Sequence, residues 1–476
     1  MALSRKPRLS HPSPTDEIFS LKYAGVLFLF SILLCWPMLI VSTPLVFYDS
    51  VSYFGQGLQI AEFAEAQLVK IFGSEMAAGA AIGENASGGR ALRSVPYAMM
   101  AYFGSLTPLG FAGAAILQTY LVVLMVAALV GRIPAQQRVR AFWLAAGCCF
   151  LTSLPWFASY LMPDLLAAAI VLYAALLVSR FDEMSLPQQL VAAVIMVIAI
   201  VCHYGHVLLA VGSVGAALGL RLVLWRLSGR AVVFGLAPIV AALIANALFG
   251  LLAFDSTSVA PKRLPVLLAR SLEDGPARWH LQEHCGTYQY EICQILGEIP
   301  DTVSGLLFED SGLRKATAEQ LDKVRAEEPV ILMRSFMEYP VDQVWSMVGN
   351  SVDQLVSFGY EDFAWAEVSR GPDGEMVAQF DFENSRQMFI GLNVAHVAIV
   401  ALAALAIAYL IITDAGVRRS KAIEIVLVVL AAIVVNAVIF GGLSEPADRY
   451  QTRVVWIIPV LACLFWLRSR RGRAIS

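Results

Sequence analysis

Thr107-Pro-Leu-Gly-Phe-Ala-Gly-Ala-Ala-Ile-Leu-Gln-Thr-Tyr-Leu-Val-Val-Leu-Met-Val-Ala-Ala-Leu-Val-Gly131 runs for 25 residues without an Asp, Glu, Lys or Arg. Hydrocarbon about 30 Å thick is crossed by about 20 apolar residues in helical conformation. Nine further stretches read the same way, near 23–43, 140–157, 163–180, 188–203, 206–225, 231–253, 388–412, 422–440 and 454–467. The shorter ones fit positions inside a bundle or with little tilt. Across its 476 residues the chain is 58% hydrophobic and 15% charged, with mean hydropathy +0.68. Soluble domains average about 45–50% and about 25%. Lipid offers the backbone no hydrogen bonds, so each block must satisfy its own, and the blocks far exceed barrel strands of about ten residues. The expected fold class is an all-α polytopic membrane protein of about ten transmembrane helices.

The distribution of Lys and Arg sets the expected orientation. Arg5, Lys6, Arg8 and Lys22 precede the first span, and Arg132, Arg138 and Arg140 follow the second. Arg180, then Arg221, Arg226 and Arg230, then Arg418, Arg419 and Lys421, and finally Arg468, Arg470, Arg471 and Arg473 fall on the same side. The turns near 155–163 and 203–206 contain neither Lys nor Arg. An even number of spans with both termini cytoplasmic fits every short loop. The first apolar run suits a span better than a cleavable signal, with Asp16 and Glu17 just before it. The net charge of -3 gives no field for nucleic acid.

This divides the chain into a cytoplasmic tail 1–22 and an N-terminal transmembrane module 23–253 with a first outward loop 42–106. An outward domain 254–387, C-terminal helices 388–467 and a second cytoplasmic tail 468–476 follow. The outward domain mixes charged helical stretches with Gly and Pro turns, and loops this long are usually functional or folded units. It holds Cys285 and Cys293, which an oxidising compartment such as the outside of a bacterial inner membrane would join as a disulfide. A metal site using His280 and His284 is less expected, because no C-x-x-C pair accompanies them. The other five cysteines lie in apolar stretches and read as packing residues.

Chemistry-bearing residues cluster at the outward ends of spans. Asp49, in Tyr48-Asp49-Ser50, follows the first span, and Glu62 and Glu65 lie further along the same helical segment. A carboxylate there can deprotonate an acceptor hydroxyl or help hold a divalent cation (Mg or Mn) beside a lipid phosphate. It can equally cap the helix that follows. Asp164, in Met162-Pro163-Asp164-Leu165-Leu166, opens the fourth span, where Pro and an acid also make a good helix start. The last outward turn holds Asp448-Arg449-Tyr450-Gln451-Thr452-Arg453. Arg449 and Arg453 can share one helix face and grip a phosphate, or they can anchor headgroups or pair with Glu445 or Asp448. His203 and His206 form a hairpin that can bind a metal, relay protons or simply sit at the wet interface. Arg90 and Arg93 can add positive charge near a donor.

The acid after the first span and the Pro-Asp-Leu-Leu opening the fourth resemble the GT-C glycosyltransferase superfamily, in particular its protein O-mannosyltransferase and aminoarabinose-transferase type. The resemblance covers roughly the first 180 residues in sequence and the remainder in topology alone. It implies a GT-C-like fold whose extracytoplasmic site takes a sugar from a polyprenyl-phosphate donor to a glycan, lipid or protein acceptor. It also implies Asp49 as catalytic base and Asp164 as the second loop acid. Arg449 and Arg453, with Tyr450, Glu62, His203, His206 and Arg90 nearby, would line the substrate site. The family's first loop often reads Asp-Glu where this chain has Asp49-Ser50, so Glu62 or Glu65 would have to stand in for that glutamate.

Two other classes share this topology. A transporter or flippase of a lipid-linked substrate would place its site near the midplane and show repeat symmetry, and no repeat is visible. A non-catalytic scaffold of an envelope polysaccharide system would keep the helices without the chemistry. No Walker loop, dinucleotide fingerprint or nucleophile elbow occurs.

Overall fold

The computed structural model describes residues 21–41, 44–72, 93–131, 133–254, 256, 258, 260 and 262–469. Among the described residues six helices are long and apolar enough to cross a membrane: Ala112–Val130, Gly205–Val223, Gly229–Leu252, Phe382–Thr413, Ala422–Gly442 and Asp448–Arg468. Three shorter apolar helices, Tyr23–Leu34, Leu165–Ser179 and Leu186–Val201, lie among them. Leu39, Trp143, Leu252 and Val394 are exposed on the bundle's outside, as side chains bathed in lipid rather than water would be. The chain is therefore a multi-pass, all-α membrane protein.

Two of the expected spans are interrupted. Within 23–43 the helix stops at Leu34 and resumes at Pro37, whose ring removes a backbone donor. Within 140–157 the helix Arg138–Leu151 ends at an extended Thr152, and a short helix Leu154–Ser159 restarts with Pro155 in its first turn.

Helix Leu165–Ser179 is the axis of the molecule, buried at every one of its 15 positions. It reads Leu-Leu-Ala-Ala-Ala-Ile-Val-Leu-Tyr-Ala-Ala-Leu-Leu-Val-Ser, apolar on all faces, as a helix with protein on all sides must be. The alanines let neighbours approach closely, and Ala112–Val130, Leu186–Val201, Gly205–Val223 and Ala422–Ala437 all pack on it. At about 1.5 Å per residue it is about 22 Å long, so its two ends mark the two faces of the bundle.

The Ser179 end collects basic residues. Arg180 donates to Ala128 O, Lys421 to Ser179 O and Arg468 to Leu129 O, while Arg221 pairs with Asp182 and Arg226 with Glu424. The opposite end carries the polar segment 262–381, which has its own core around Leu268, Leu272, Leu281, Leu306, Leu321 and Ile331. Helices Val266–Asp274, Pro276–Tyr288, Ala318–Glu338 and Pro340–Val356 build it, and Cys285 is disulfide-bonded to Cys293 with Cα atoms 5.7 Å apart.

A hairpin follows, β1 Trp365–Arg370 and β2 Met376–Asp381, antiparallel with Trp365 opposite Asp381 and Arg370 opposite Met376. It rests on helix Tyr48–Phe72 and on Phe111: Tyr48 packs 4.4 Å from Phe380, and Arg370 lies over the rings of Phe54 and Phe111.

Candidate functional site

A short parallel bridge places the two acids. Leu45 N–H donates to Ser159 O and Leu161 N–H to Leu45 O, each at 2.9 Å, pairing Leu45 with Tyr160. Asp49 lies four residues beyond Leu45, and Asp164 four beyond Tyr160. Both segments then enter helices, Tyr48–Phe72 and Leu165–Ser179. Equal offsets from one bridge bring both carboxylates to the same end of the bundle.

Asp49 lies within the first turn of its helix, and Asp164 does not serve as the cap that its position suggests. Asp164 occupies the cap position of its helix but makes no capping hydrogen bond. Its Oδ1 instead accepts Arg453 Nη1 at 2.9 Å, in a pair buried on both sides. Arg453 Nη2 donates to Asn436 Oδ1 at 3.1 Å, and the guanidinium lies 3.9 Å from the centre of the Phe440 ring. Asn436 is held in turn, its amide donating to Tyr450 O and Gln451 Oε1. A buried pair offsets its desolvation only with such supplementary bonds.

Asp49 Oδ1 accepts Arg93 Nη2. The backbone of Arg93 is clamped by Gln56, which donates to its carbonyl (2.9 Å) and accepts its N–H (2.8 Å), and Tyr204 OH donates to the same carbonyl. Ser94 Oγ fixes the next residue on Val201 O. Arg93 is thus a loop arginine brought to the acid, and Arg90 lies outside the described residues.

Arg449 differs from these two arginines. Its guanidinium lies 4.3 Å from the ring centre of Phe47, and Nη2 donates to Tyr450 OH at 3.0 Å. No side-chain ion pair holds it among the described residues, and its buried Nη1 has no hydrogen-bond partner there. Asp164 and Asp362 line the same cavity as Arg449. Its backbone N–H donates to Asp362 Oδ2 at 3.0 Å. The expected pairing of Arg449 and Arg453 with Glu445 or Asp448 does not occur: Asp448 accepts the Glu361 N–H instead.

His203 lies in the turn between Leu186–Val201 and Gly205–Val223, and its Nδ1 accepts Gly205 N–H at 3.1 Å. Burial, then the charges of Arg453, Arg93 and Arg449, push its imidazole down to about 3, so it is neutral at physiological pH. His206, with its ring 4.8 Å from His203, points Nδ1 at Ala199 O. Glu62 and Glu65 are exposed. Glu62 lies 13 residues along the helix from Asp49, about 20 Å away at about 1.5 Å per residue, so it does not belong to this cluster.

A lid covers the cluster. Tyr160 OH donates to Ala364 O at 2.6 Å, Thr452 Oγ1 to Gly359 O at 2.8 Å, and Asn393 accepts Tyr360 N–H. Beneath it a narrow cavity is lined by Phe47, Phe157, Tyr160, Asp164, Asp362 and Arg449. Its volume of about 10 Å³ holds about one water, so a larger ligand requires the segment 358–364 to move.

The donor set does not suit a divalent cation between Asp49 and Asp164, since each carboxylate already meets a guanidinium. Arg93, Asn436, Asp362 and Phe47 complete the arrangement. Of these only Arg93 carried a sequence signal, as a cation in the first loop.

No family model, no curated protein and no solved structure matches this chain.

Proposed function

We propose that this chain is a GT-C-like glycosyltransferase that moves a sugar from a polyprenyl-phosphate donor to an acceptor at the extracytoplasmic face of a bacterial inner membrane. The observation that carries the reading is Arg449: a cation without a carboxylate ion pair among the described residues, half-buried where the bundle meets its polar domain, beside a cavity that Asp164 and Asp362 also line. A buried guanidinium donor without a partner is costly. An anion arriving along the lipid boundary would relieve it, and a lipid phosphate is the anion that a membrane supplies there.

In such a transfer the acceptor oxygen forms a bond to the sugar's anomeric carbon as the bond from that carbon to the phosphate oxygen breaks. The phosphodiester leaves as a monoester and gains negative charge, which the Arg449 guanidinium would stabilise. Asp49 would take the acceptor proton. Asp164, locked to Arg453 and Asn436, would act as a positioning residue that fixes the helix carrying Arg449. No step requires a metal.

The test uses purified protein, a polyprenyl phosphate as binding probe and a panel of polyprenyl-phosphate sugars as donors. Arg449→Ala should weaken probe binding by about 10- to 100-fold, the worth of charged hydrogen bonds. Asp49→Asn should bind the probe normally and lose about 10²- to 10⁴-fold in transfer. Unchanged binding by Arg449→Ala, or full transfer by Asp49→Asn, would remove the reading. Probe binding together with export of an intact lipid-linked sugar would replace it by the transporter.

A further inference from the structure

The polar domain contains a second constellation, remote from Arg449 in sequence and unused by the proposed transfer. His280 and His284 lie four residues apart in helix Pro276–Tyr288 and therefore on one face. Glu338, the last residue of helix Ala318–Glu338, reaches both: its Oε2 is 2.7 Å from His280 Nδ1 and its Oε1 is 3.3 Å from His284 Nε2. One ligand atom from each of the three residues lies within 4.8 Å of the others.

We propose that His280, His284 and Glu338 form a zinc site. Two imidazole nitrogens and one carboxylate are a ligand set that Zn²⁺ takes, with a fourth position for water. The surroundings of His280 point the same way. Its side chain is fully buried, and its other nitrogen, Nε2, lies 3.3 Å from Tyr290 OH. That hydroxyl oxygen accepts Arg334 Nη1 at 2.9 Å, and the Arg334 guanidinium sits 4.0 Å above the Tyr288 ring. Metal-bound histidines characteristically donate their second ring N–H to such a fixed oxygen. With Nε2–H donating to Tyr290, the Nδ1 lone pair faces the Glu338 carboxylate, a contact that a cation held between them makes favourable and for which the rival is a proton on Nδ1.

The rest of the site is held in place by the backbone. The Cys285–Cys293 disulfide lies next to His284, and Gln289, at φ 51°, reverses the chain to return Tyr290 to His280. A zinc ion here would join the helix of the two histidines to the corner where Pro340–Val356 begins. That helix clamps the last outward turn through Gln354, which donates to Ala447 O (2.8 Å) and accepts Ala447 N–H (2.9 Å). The role is structural, and it stands whether or not the chain is a transferase.

The experiment is metal analysis of the full-length protein in detergent, stripped with chelator, re-equilibrated with Zn²⁺ and freed of excess. Wild type should retain about one zinc per chain and melt at a higher temperature with zinc than without. His284→Ala and the near-isosteric Glu338→Gln should retain none and show no zinc-dependent shift. Tyr290→Phe should still bind, about 10- to 100-fold more weakly. If wild type binds no zinc and its melting is indifferent to the metal, a proton bridges the cluster and the proposal fails. It fails equally if both ligand variants bind zinc as wild type does.

Discussion

Asp164 and Arg453 show how a residue's surroundings decide its role. The pair lies out of solvent, with Asn436 as the only other side chain donated to by the guanidinium among the described residues. Removing one partner from a buried pair strands the other charge, at a cost of about 3–5 kcal/mol, whereas replacing both by apolar side chains is close to neutral. Asp164→Asn should therefore lower the melting temperature sharply. The double variant Asp164→Leu/Arg453→Met should recover most of that loss, with transfer still absent. A single variant that melts like wild type would show that the pair contributes nothing to the fold. In the sequence Asp164, Arg449 and Arg453 were legible as polar residues breaking apolar stretches. Their partners were not. Asp164 and Arg453 stand 289 residues apart, and Asp49 and Arg93 stand 44 apart, separations over which no helical periodicity carries information.

Among the elements, two contacts carry the site. The Leu45–Tyr160 bridge aligns the acids, and helix Pro340–Val356 fixes the turn that leads to Arg449. The second contact depends on Gly441 and Gly442. A Cβ at Gly441 would lie 2.5 Å from both Asn350 O and Gln354 Cβ, and one at Gly442 2.8 Å from Ser351 Oγ. Gly441→Ala must therefore push the helix away or distort the turn, an overpacking that costs about 1–3 kcal/mol. The expected outcome is a lower melting temperature and weaker polyprenyl-phosphate binding, although residue 441 touches no ligand. Unaltered binding in this variant would show that the clamp does not position Arg449.

The long apolar helices were legible element by element, because twenty uncharged residues admit few alternatives. The interruptions at Trp36 and Thr152 were not, since neither brings a charge into its stretch, although Pro37 and Pro155 follow them. The hairpin β1–β2 fell inside a segment whose composition alone suggested only a mixed domain.

The whole molecule is polar in a literal sense. Basic residues gather at the Ser179 end of the central helix, and the acids, Arg449 and the polar domain at the other. The proposed transfer requires the second end to receive a lipid phosphate at Arg449. An experimental map of the protein in a lipid nanodisc with an added polyprenyl phosphate tests this at once. Phosphate density is expected within hydrogen-bonding distance of Arg449 Nη1, with segment 358–364 displaced from its place over the cavity. Phosphate density confined to the arginines at the Ser179 end, with Arg449 still without a ligand, would contradict it.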